Sequence, residues 1–511
     1  MLAKTTTTSL TGLHARKVDV EVDTAFGLPA VNIVGLPDAA VKESRDRVRA
    51  AIDNSGKEFP MQRVTVNLTP AEYRKSGTHF DLPIAVAILI SSQQMPRPIG
   101  IETVVIGELS LDGSVLPVNG LLPMIIEMRK QGYKRFIVPA DNQHEAGLVE
   151  NIECCFVSHL HELLVENFSE RSFSVTAPME SRSERVLQKD LSMGDLHGQE
   201  NVKRAMEITA AGNHNLMLIG PPGSGKTMAA KRLPSILPDL TFEEAMEVAV
   251  IYSASGLFDQ SLGLTKRRPF RSPHHTTSTA ALTGGGSNPR PGEISLSHQG
   301  VLFLDEFPEF DKRSLEILRQ PLEEGKITVA RAAGSFEFPC EFMLVAAMNP
   351  CPCGYYGFEE KERMCTCSLH QVQRYVNRIS GPLLDRFDLF VEAKRIDYDD
   401  LNRKNQGEDT SGIRNRVIDA RKTQKKRYVD LNIESNASLT PSLLQQYCRL
   451  DDEADKMMRI AFDRMKLSAR AYHRVLKVAR TIADLADSLD IRINHLAEAL
   501  QFRTLNQFKR S

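Results

Sequence analysis

The chain has 511 residues, enough for about three or four domains, and its 41% hydrophobic and 25% charged residues are typical of a globular protein. Its net charge of −1 excludes a generally basic surface, so any nucleic acid must bind to local basic patches. The N-terminus lacks the apolar core of a secretory signal, and the longest apolar run, 82–91, is too short to span a bilayer. Eight cysteines in so long a chain do not form a disulfide scaffold. We therefore expect a cytoplasmic protein with no membrane partner.

The N-terminal region, 1–165, predicts a mixed α/β domain. A helical period predicts a helix at 38–52, and the apolar segment 81–89 predicts a buried helix. The first of these helices carries Lys42, Arg45, Arg47 and Arg49, which suit either a solvated face or a face that contacts DNA or a subunit. Alternating or short apolar runs predict strands at 18–22, 30–34, 63–68, 104–106 and 136–138.

Two stretches of this region, 75–85 and 116–122, resemble the Lon protease proteolytic domain and its relative in the recombination protein RadA. The resemblance implies a Lon-protease-like (ribosomal S5 domain 2-like) α/β fold. Lon-type peptidases use a serine nucleophile and a lysine that takes its proton. This chain carries Asp81 and Leu122 where the resemblance places them. We therefore expect the fold without peptidase activity, serving assembly or DNA contact.

Residues 166–190 are rich in Ser, Glu and Arg and poor in apolar residues. Such a composition cannot bury a core, so this segment is predicted to be a connector. The next domain, 191–395, opens with 195–199, a Gly-Gln stretch similar to one that lines the nucleotide base pocket in the AAA+ magnesium-chelatase group.

The strongest motif lies between the apolar run 216–219 and the helix-compatible segment 228–233. It matches the phosphate-loop pattern G-x-x-x-x-G-K-[ST] in the required strand-loop-helix context. Glycines let backbone N–H groups close around phosphate oxygens, and the helix N-terminus adds partial positive charge. Lys226 is expected to reach the β/γ-phosphates of ATP, and Thr227 to hold Mg²⁺. The eight residues are Gly220, Pro221, Pro222, Gly223, Ser224, Gly225, Lys226 and Thr227.

Two further apolar strands end in polar residues. The run 301–304 precedes Asp305 and Glu306, which are expected to hold the water shell of Mg²⁺ and to polarise the attacking water, respectively. The run 342–348 precedes Asn349. Asn349 resembles the sensor-1 position of AAA+ ATPases, where an amide senses the γ-phosphate; an ordinary turn residue is the alternative.

Arginines complete the predicted site. The segment 381–388 resembles the arginine-finger segment of the magnesium-chelatase and MCM clade. Such an arginine acts on the nucleotide of the neighbouring subunit, so Arg386 implies a homo-hexameric ring. An intrachain ion pair of Arg386 with Asp385 or Asp388 is the alternative.

The C-terminal region, 396–511, predicts a charged connector followed by a helical lid, with helices near 440–449, 451–465, 468–489 and 494–503. Residues 468–470 resemble a sensor-2 segment. Arg470 is the first candidate to touch the γ-phosphate and Arg474 the second, and ordinary helix-surface arginines are the alternative.

Two insertions are predicted to project from the domain at 191–395, which we call the motor because it carries the phosphate-loop motif. The Gly/Pro-rich stretch 284–293 falls where the clade has its helix-2 insertion, and 327–338 predicts a hairpin where the clade has its pre-sensor-1 hairpin. His274 and His275 suit a structural or DNA-contacting role better than a metal site. Basic residues near these insertions suit either phosphate contacts with DNA or solvated charges. They are Lys266, Arg268, Arg271, Arg290 and Arg331.

Two cysteine pairs fit a structural Zn²⁺ site of four thiolates, namely Cys351 with Cys353 and Cys365 with Cys367. Their C-x-C spacing is tighter than the usual C-x₂₋₄-C of zinc sites, so reduced loop thiols are the alternative.

The motor resembles the magnesium-chelatase-like AAA+ family. With the N-terminal region, segment 271–278 and the paired cysteines, the whole chain resembles the ComM/YifB family. This resemblance implies a DNA-stimulated ATPase acting as a hexameric branch-migration helicase on single-stranded and branched DNA in natural transformation. The alternatives are a magnesium chelatase ATPase subunit, a Lon-like ATP-dependent protease and a scaffold that only binds nucleotide.

Overall fold

The computed structural model describes residues 2–96, 98–165, 168, 172–176, 191–286, 289–331, 334–358, 364–395, 408–431 and 433–503. Most of the predicted connector at 166–190, and the first part of the charged connector after 395, lie outside these residues. Among the described residues, no helix combines the length and the apolar character needed to cross a bilayer.

The N-terminal region is built on strands β1 (Leu2–Thr11), β2 (His14–Ala25), β3 (Ala30–Val34), β4 (Arg63–Thr69), β5 (Thr103–Val105), β6 (Glu108–Leu109), β7 (Val115–Leu116), β8 (Arg135–Pro139), β9 (Glu153–Val157) and β10 (Ser174–Val175). Eight of them form one mixed sheet in the order β10-β9-β8-β5-β1-β2-β4-β3, and β6 pairs with β7. Strand β4 shows the predicted alternation, since Val64, Val66 and Leu68 are buried between partly exposed neighbours. Strand β10 extends this sheet beyond residue 165.

Helices cover both faces of this sheet: α1 (Ala39–Asn54), α2 (Asp81–Ser91), α3 (Leu121–Lys130) and α4 (Gln143–Ala146). The predicted helices at 38–52 and 81–89 are confirmed as α1, which begins after Asp38, and α2. Neighbouring residues of one strand point to opposite faces. Val105 and Ile137 pack with α2, whereas Val104 and Phe136 pack with α3. The sheet therefore separates α2 from α3.

The motor contains strands β11 (Leu216–Ile219), β12 (Phe270–Arg271), β13 (Gly284–Gly285), β14 (Arg290–Pro291), β15 (Gly300–Leu304), β16 (Lys326–Arg331), β17 (Gly334–Pro339), β18 (Phe342–Met348) and β19 (Leu389–Glu392). Five of them form a parallel sheet in the order β12-β15-β18-β11-β19. Strands β11 and β15 are fully buried, as expected for parallel strands covered on both faces. Strands β16 and β17 pair as the predicted hairpin.

Because the strands are parallel, the sheet has two chemically distinct edges. We call the edge beyond Ile219, Leu304 and Met348 the carboxyl edge, since β11, β15 and β18 end there. We call the opposite edge, where Asn215 and Asp388 precede β11 and β19, the amino edge. The two edges carry different parts of the site described below.

The helices of the motor are α5 (Glu200–Gly212), α6 (Lys226–Ala230), α7 (Leu233–Ile236), α8 (Phe242–Ser255), α9 (Thr279–Thr283), α10 (Glu293–Leu296), α11 (Lys312–Ile317), α12 (Arg319–Glu324), α13 (Leu369–Val376) and α14 (Gly381–Leu384). The C-terminal helices are α15 (Thr410–Arg427), α16 (Pro441–Tyr447), α17 (Asp452–Met465), α18 (Ala469–Leu485) and α19 (Ile493–Gln501). They share one apolar core with α5, in which Val417 and Ile482 pack with Val202 and Ile208. This core joins the C-terminal helices to the motor.

The N-terminal domain packs against α8 of the motor. Ala249 of α8 belongs to the same apolar cluster as Leu121 and Ile125 of α3. Glu145 accepts hydrogen bonds from Ser253 at the end of α8 and from Gln260, the latter at 3.0 Å. The N-terminal sheet is thus attached to a helix of the motor by apolar and charged contacts.

Candidate nucleotide-hydrolysis site

The predicted phosphate loop lies at the carboxyl edge, between β11 and α6. Gly223 and Gly225 have φ values of +77° and +81°, which glycine adopts without strain. Lys226 Nζ donates to the carbonyl oxygens of Gly220 at 2.8 Å and Pro221 at 2.9 Å. Burial lowers the pKa of Lys226 to about 8, although Asp305 and Glu306 act to raise it. The loop therefore holds a buried amine within reach of a phosphate.

Residues from three strands meet at this amine. Thr227 donates to Asp305 Oδ2 at 2.5 Å, and Lys226 Nζ lies 3.3 Å from Asn349 Oδ1. Asp305 follows β15, Asn349 follows β18 and the loop follows β11, so the sheet order β15-β18-β11 brings them together. A threonine hydroxyl beside a carboxylate is a donor set suited to Mg²⁺ and its water shell.

Glu306 is the exposed carboxylate of the site, and it occupies the left-handed region at φ +51°. Its Oε2 lies 3.1 Å from His275 Nδ1. His275 follows β12, which is the neighbour of β15 in the sheet. The sequence marked His274 and His275 only as structural or DNA-contacting residues, and the structure places His275 on Glu306.

The Gly-Gln stretch at 195–199 also reaches the loop. Gln199 is buried, and its Nε2 donates to the carbonyl of Ser224 at 3.0 Å and to that of Lys394 at 2.5 Å. Asp195 pairs with Arg232 at 3.1 Å. This stretch therefore supports the phosphate loop from the side of β19.

Arg386 lies at the amino edge, away from the phosphate loop of its own chain. Among the described residues, Arg386 pairs with the carboxylate of Glu323, and its Nε has no hydrogen-bond partner. Burial lowers the pKa of Arg386, and the positive charges of Arg474 and Arg470 lower it further. The alternative pair with Asp388 is not formed, because Asp388 binds Arg474 instead.

A buried network fixes the backbone around Arg386. Asp388 accepts from Arg474 Nη1 at 2.9 Å and from the backbone N–H of Asn215 at 3.1 Å, and lies 3.4 Å from His214. Burial alone would raise the pKa of Asp388, but Arg474 and His214 lower it well below its ordinary value. Asn215 Nδ2 donates to the carbonyl of Arg386 at 2.9 Å.

Arg470 occupies the first turn of α18 and is exposed. Its charge acts on Arg386, so it lies on the amino-edge side of the motor. Strand β11 spans four residues in register with β19, which separates the two edges by about 13 Å at about 3.3 Å per residue. Neither Arg386 nor Arg470 is placed beside Lys226 of the same chain.

The four predicted zinc ligands converge. The sulfur atoms of Cys351, Cys353, Cys365 and Cys367 all lie within 4.8 Å of one another. Cys351 Sγ lies 3.3 Å from Cys353 Sγ and 3.8 Å from Cys365 Sγ. A tetrahedral Zn–S₄ site with bonds of about 2.3 Å has sulfur–sulfur edges of about 3.8 Å. The geometry therefore fits a metal ion held by four thiolates.

Backbone N–H groups face two of the four sulfur atoms in this cluster, whereas burial raises the pKa of Cys365 to about 12 and also raises the pKa of Cys367. Cys351 Sγ is buried and accepts N–H groups from Gly354 at 3.2 Å and Tyr356 at 3.4 Å. Burial acts to raise the pKa of Cys353, but backbone N–H groups of Tyr355 and Thr366 lower it to about 6.

The predicted phosphate-contact residues divide into two groups. Arg268 donates to Glu244 at 3.0 Å, and Arg271 donates to both oxygens of Glu293 at 2.7 Å. The guanidinium groups of these two residues therefore bind carboxylates of the motor, and their predicted DNA role stays a prediction. The exposed members are Lys266, Arg290 and Arg331.

Two exposed arginines, one from each of the predicted insertions at 284–293 and 327–338, lie near the same glycine. Arg290 pairs with Gly285 across β13 and β14. Arg331, at the end of β16, lies over Gly285, where an added Cβ would be 2.4 Å from Nη2. Arg290 and Arg331 thus both lie near Gly285.

The two positions where a peptidase resemblance would place a serine and a lysine hold Asp81 and Leu122. Asp81 is buried and accepts from Arg47 Nε at 2.7 Å, and it also contacts Ser44. Leu122 belongs to α3, on the other face of the sheet. Asp81 and Leu122 are therefore apart, and Asp81 forms an ion pair.

Comparison with protein families gives three matches along the chain. "Magnesium chelatase, subunit ChlI" matches residues 192–401, "Subunit ChlI of Mg-chelatase" matches 20–142, and "Magnesium chelatase, subunit ChlI C-terminal" matches 407–503. The first match contains the phosphate loop, Asp305, Glu306, Asn349 and Arg386. The motor is thus a magnesium-chelatase-type AAA+ ATPase domain within a mixed α/β protein that has a C-terminal helical region.

Curated relatives match over nearly the whole length. The chain is 44% identical to "Uncharacterized protein YifB" of Escherichia coli strain K12 over 97% of this chain and 96% of that protein. It is 42% identical to "Competence protein ComM" of Haemophilus influenzae, again over 97% and 96%. The chain belongs to the ComM/YifB family. The "Magnesium-chelatase 38 kDa subunit" of Cereibacter sphaeroides is more distant, at 26% identity over 41% of this chain and 60% of that protein. The predicted ComM/YifB membership is confirmed.

Proposed function

We propose that this ComM/YifB-family chain is a cytoplasmic, ATP-dependent DNA motor. It works as a homo-hexameric ring and moves branch points in DNA during natural transformation or homologous recombination. The observation that carries the ring is the separation of Arg386 at the amino edge from Lys226 at the carboxyl edge of the same sheet. The name of the Haemophilus influenzae relative, a competence protein, supports the DNA substrate.

In this proposal each domain has a separate role. Residues 1–165 form a Lon-peptidase-like domain that serves assembly or DNA contact, and 166–190 connect it to the motor. Residues 191–395 hydrolyse ATP, and 396–511 form the connector and lid. Inactivity of the first domain is supported by Asp81, whose carboxylate is bound by Arg47.

Each active site is completed by two subunits. Lys226 and the backbone of 220–227 would hold the phosphates, and Thr227 and Asp305 would hold Mg²⁺, which would offset phosphate charge. Glu306 accepts a proton from the attacking water and orients it, and His275 positions the Glu306 carboxylate. Arg386 of the next subunit stabilises charge on the transferred phosphoryl group. Asn349 and the exposed Arg470 sense that group from opposite sides of the interface.

DNA contacts are proposed for the two insertions. Arg290 and Arg331 are exposed and both lie near Gly285, so they can bind phosphates of one strand. Lys266 is a further exposed candidate. Movement of the insertions with the nucleotide state would then pull DNA through the ring.

The cysteine cluster is proposed to hold one structural Zn²⁺ per chain. Four sulfur atoms with separations such as 3.3, 3.6 and 3.8 Å resemble the edges of a tetrahedral thiolate site. Metal analysis of the purified full chain should return about one zinc per chain. Loss of the metal on Cys367→Ser would support the ligand assignment.

The deciding experiment measures ATP hydrolysis with no DNA, with single-stranded DNA and with branched DNA. We expect DNA to stimulate hydrolysis, and Glu306→Gln to lower the stimulated rate by about 10² or more while ATP still binds. Glu243→Gln, which alters an exposed carboxylate of α8, is the matched control and should keep the wild-type rate. Hydrolysis indifferent to DNA across salt concentrations would reject the DNA motor.

The same assay separates the second candidate, a chelatase ATPase subunit, which is favoured by the family matches across the chain. A chelatase subunit would be stimulated by a porphyrin-binding partner complex and not by DNA. Stimulation by unfolded protein would instead indicate a protease, which the contacts of Asp81 do not support.

A further inference from the structure

The turn that carries the first two cysteines lies against the phosphate loop. Gly354, with φ +90°, is so close to Pro222 that an added Cβ would lie 2.5 Å from Pro222 Cδ. Pro222 is the third residue of the phosphate loop. The turn that carries Cys351 and Cys353 is therefore in van der Waals contact with the phosphate loop through Gly354 and Pro222.

The same turn is attached to the site at its other end. Asn349, which lies 3.3 Å from Lys226 Nζ, is followed by Pro350 and then by Cys351. Cys351 is fully buried, and the N–H groups of Gly354 and Tyr356 point at its sulfur atom. The segment 349–354 thus runs from the amide beside the lysine to the contact with Pro222.

Nothing covalent fixes this turn in place, since all four cluster cysteines are free. A metal ion bound by all four thiolates would tie residues 351–353 to residues 365–367 and so remove the conformational freedom of the turn. A restrained turn keeps Gly354 against Pro222, and a restrained phosphate loop loses less entropy when it closes around phosphate.

We propose that the four-thiolate metal site acts as a clamp on the phosphate loop, so that metal occupancy sets the affinity for nucleotide. This rests on the zinc site and the phosphate-binding role proposed above, and it adds a regulatory link between them. Loss of the metal weakens nucleotide binding without altering a residue that contacts the nucleotide.

The test uses the full chain without DNA and records two quantities that do not depend on hydrolysis. These are zinc content by mass spectrometry and the dissociation constant of a fluorescent ADP analogue. Cys365→Ser should lose the zinc and bind the analogue about five- to tenfold more weakly, a range typical of coupling between two sites. Cys340→Ala, which alters a buried motor cysteine outside the cluster, should change neither quantity.

Pro222→Ala removes the ring that contacts Gly354 and tests the path of the coupling. This variant should keep its zinc. Adding Cys365→Ser to it should produce little further weakening, because the contact that transmits the effect is already absent. A full five- to tenfold loss in this background would overturn the clamp.

The failures of the separate proposals are distinguishable. If Cys365→Ser loses zinc but keeps the wild-type dissociation constant, the clamp is rejected and the zinc site is still supported. A wild-type chain without zinc overturns both, whereas a zinc-loaded wild-type chain that binds no nucleotide overturns the phosphate-loop assignment.

Should Cys365→Ser fail to fold, Gly354→Ala decides, since its methyl group pushes against Pro222. Retained zinc with weaker binding supports the clamp, and unchanged binding rejects it.

Discussion

In the proposed ring, the carboxyl and amino edges of the motor sheet carry opposite halves of one reaction centre. The carboxyl edge holds the phosphate loop, with Lys226 among the carboxylates of Asp305 and Glu306. The amino edge holds Arg386 and Arg470, with no phosphate loop beside them. A single chain therefore has the residues proposed to bind phosphate and activate water at one edge, and Arg386 and Arg470 at the other. This separation is what a head-to-tail ring requires, because each interface then joins two unlike edges.

The edges also differ in how they are built. The carboxyl edge uses loops that directly follow strands, so its residues lie in short motifs. The amino edge uses a buried network of Asn215, Asp388 and Arg474, which are far apart in the sequence. The first edge has an exposed glutamate that can meet water, whereas the second has a rigid frame around one arginine.

The largest predicted effect concerns the arginine of the amino edge. Arg386→Ala should lower the DNA-stimulated rate of ATP hydrolysis by about 10³ or more, because the missing guanidinium no longer stabilises transition-state charge. Nucleotide affinity measured by fluorescence titration should change little. Arg459→Ala, in an exposed pair with Asp455, is the control and should behave as wild type. A large loss of nucleotide affinity in Arg386→Ala would show that this residue is not confined to the reaction step.

Mixing two inactive variants tests whether the carboxyl edge of one subunit and the amino edge of another form one active site. A Glu306→Gln subunit retains its amino edge, and an Arg386→Ala subunit retains its carboxyl edge. Mixed rings should therefore form some complete interfaces and recover part of the wild-type hydrolysis, measured against either variant alone. If each chain supplied its own arginine, mixing would restore nothing.

The pH dependence tests the carboxyl edge alone. Lys226 binds phosphate as a cation, and its pKa is lowered to about 8. Affinity for ADP should therefore be fully present below pH 8 and fall as the pH rises through 8, by up to about tenfold per pH unit once the amine is neutral. Titration of ADP binding between pH 7 and 9.5 measures this fall. Lys226→Met should bind weakly and show no such slope, and a wild-type affinity constant over this range would contradict the assignment.

The smallest predicted effect concerns the insertions. The double substitution Arg290→Ala and Arg331→Ala should weaken DNA binding several-fold and reduce its salt dependence by about two phosphate contacts. Binding of a labelled single strand at several salt concentrations measures both quantities. Nucleotide affinity should be unchanged, and Arg459→Ala again provides a surface-arginine control. An unchanged salt slope would remove these two arginines from the DNA path.

Local patterns were sufficient to predict the carboxyl edge. The phosphate loop and the pair Asp305–Glu306 are consecutive residues whose strand context is visible in the sequence, and the contact of Thr227 with Asp305 follows once the strands are adjacent. The contact of His275 with Glu306 was not predicted, because it depends on β12 lying beside β15. Adjacent histidines have many uses, and their sequence carries no sign of that order.

Charged residues were harder to assign because their partners are distant in sequence. Arg268 and Arg271 resembled the exposed arginines, yet Glu244 and Glu293 bind them. Asp388 was considered as a partner of Arg386, but the packing of α18 on the motor supplies Arg474 instead. Strand β10 lay within a segment whose composition predicted a connector, and pairing with β9 determines its structure.

Hydrogen bonds hold both ends of strand β11 in place. At one end Asn215 is bonded to the backbone of Arg386 and to Leu344 of β18, and at the other the N–H of Gly220 donates to Met348 at 3.2 Å. Four fully buried residues lie between these ends. In the proposed ring, this strand is a rigid connection. It links the ATP site of a subunit to Arg386, the arginine that the same subunit contributes to its neighbour. A change at the nucleotide would then reach the arginine through a rigid part of the sheet, without passing through a flexible linker.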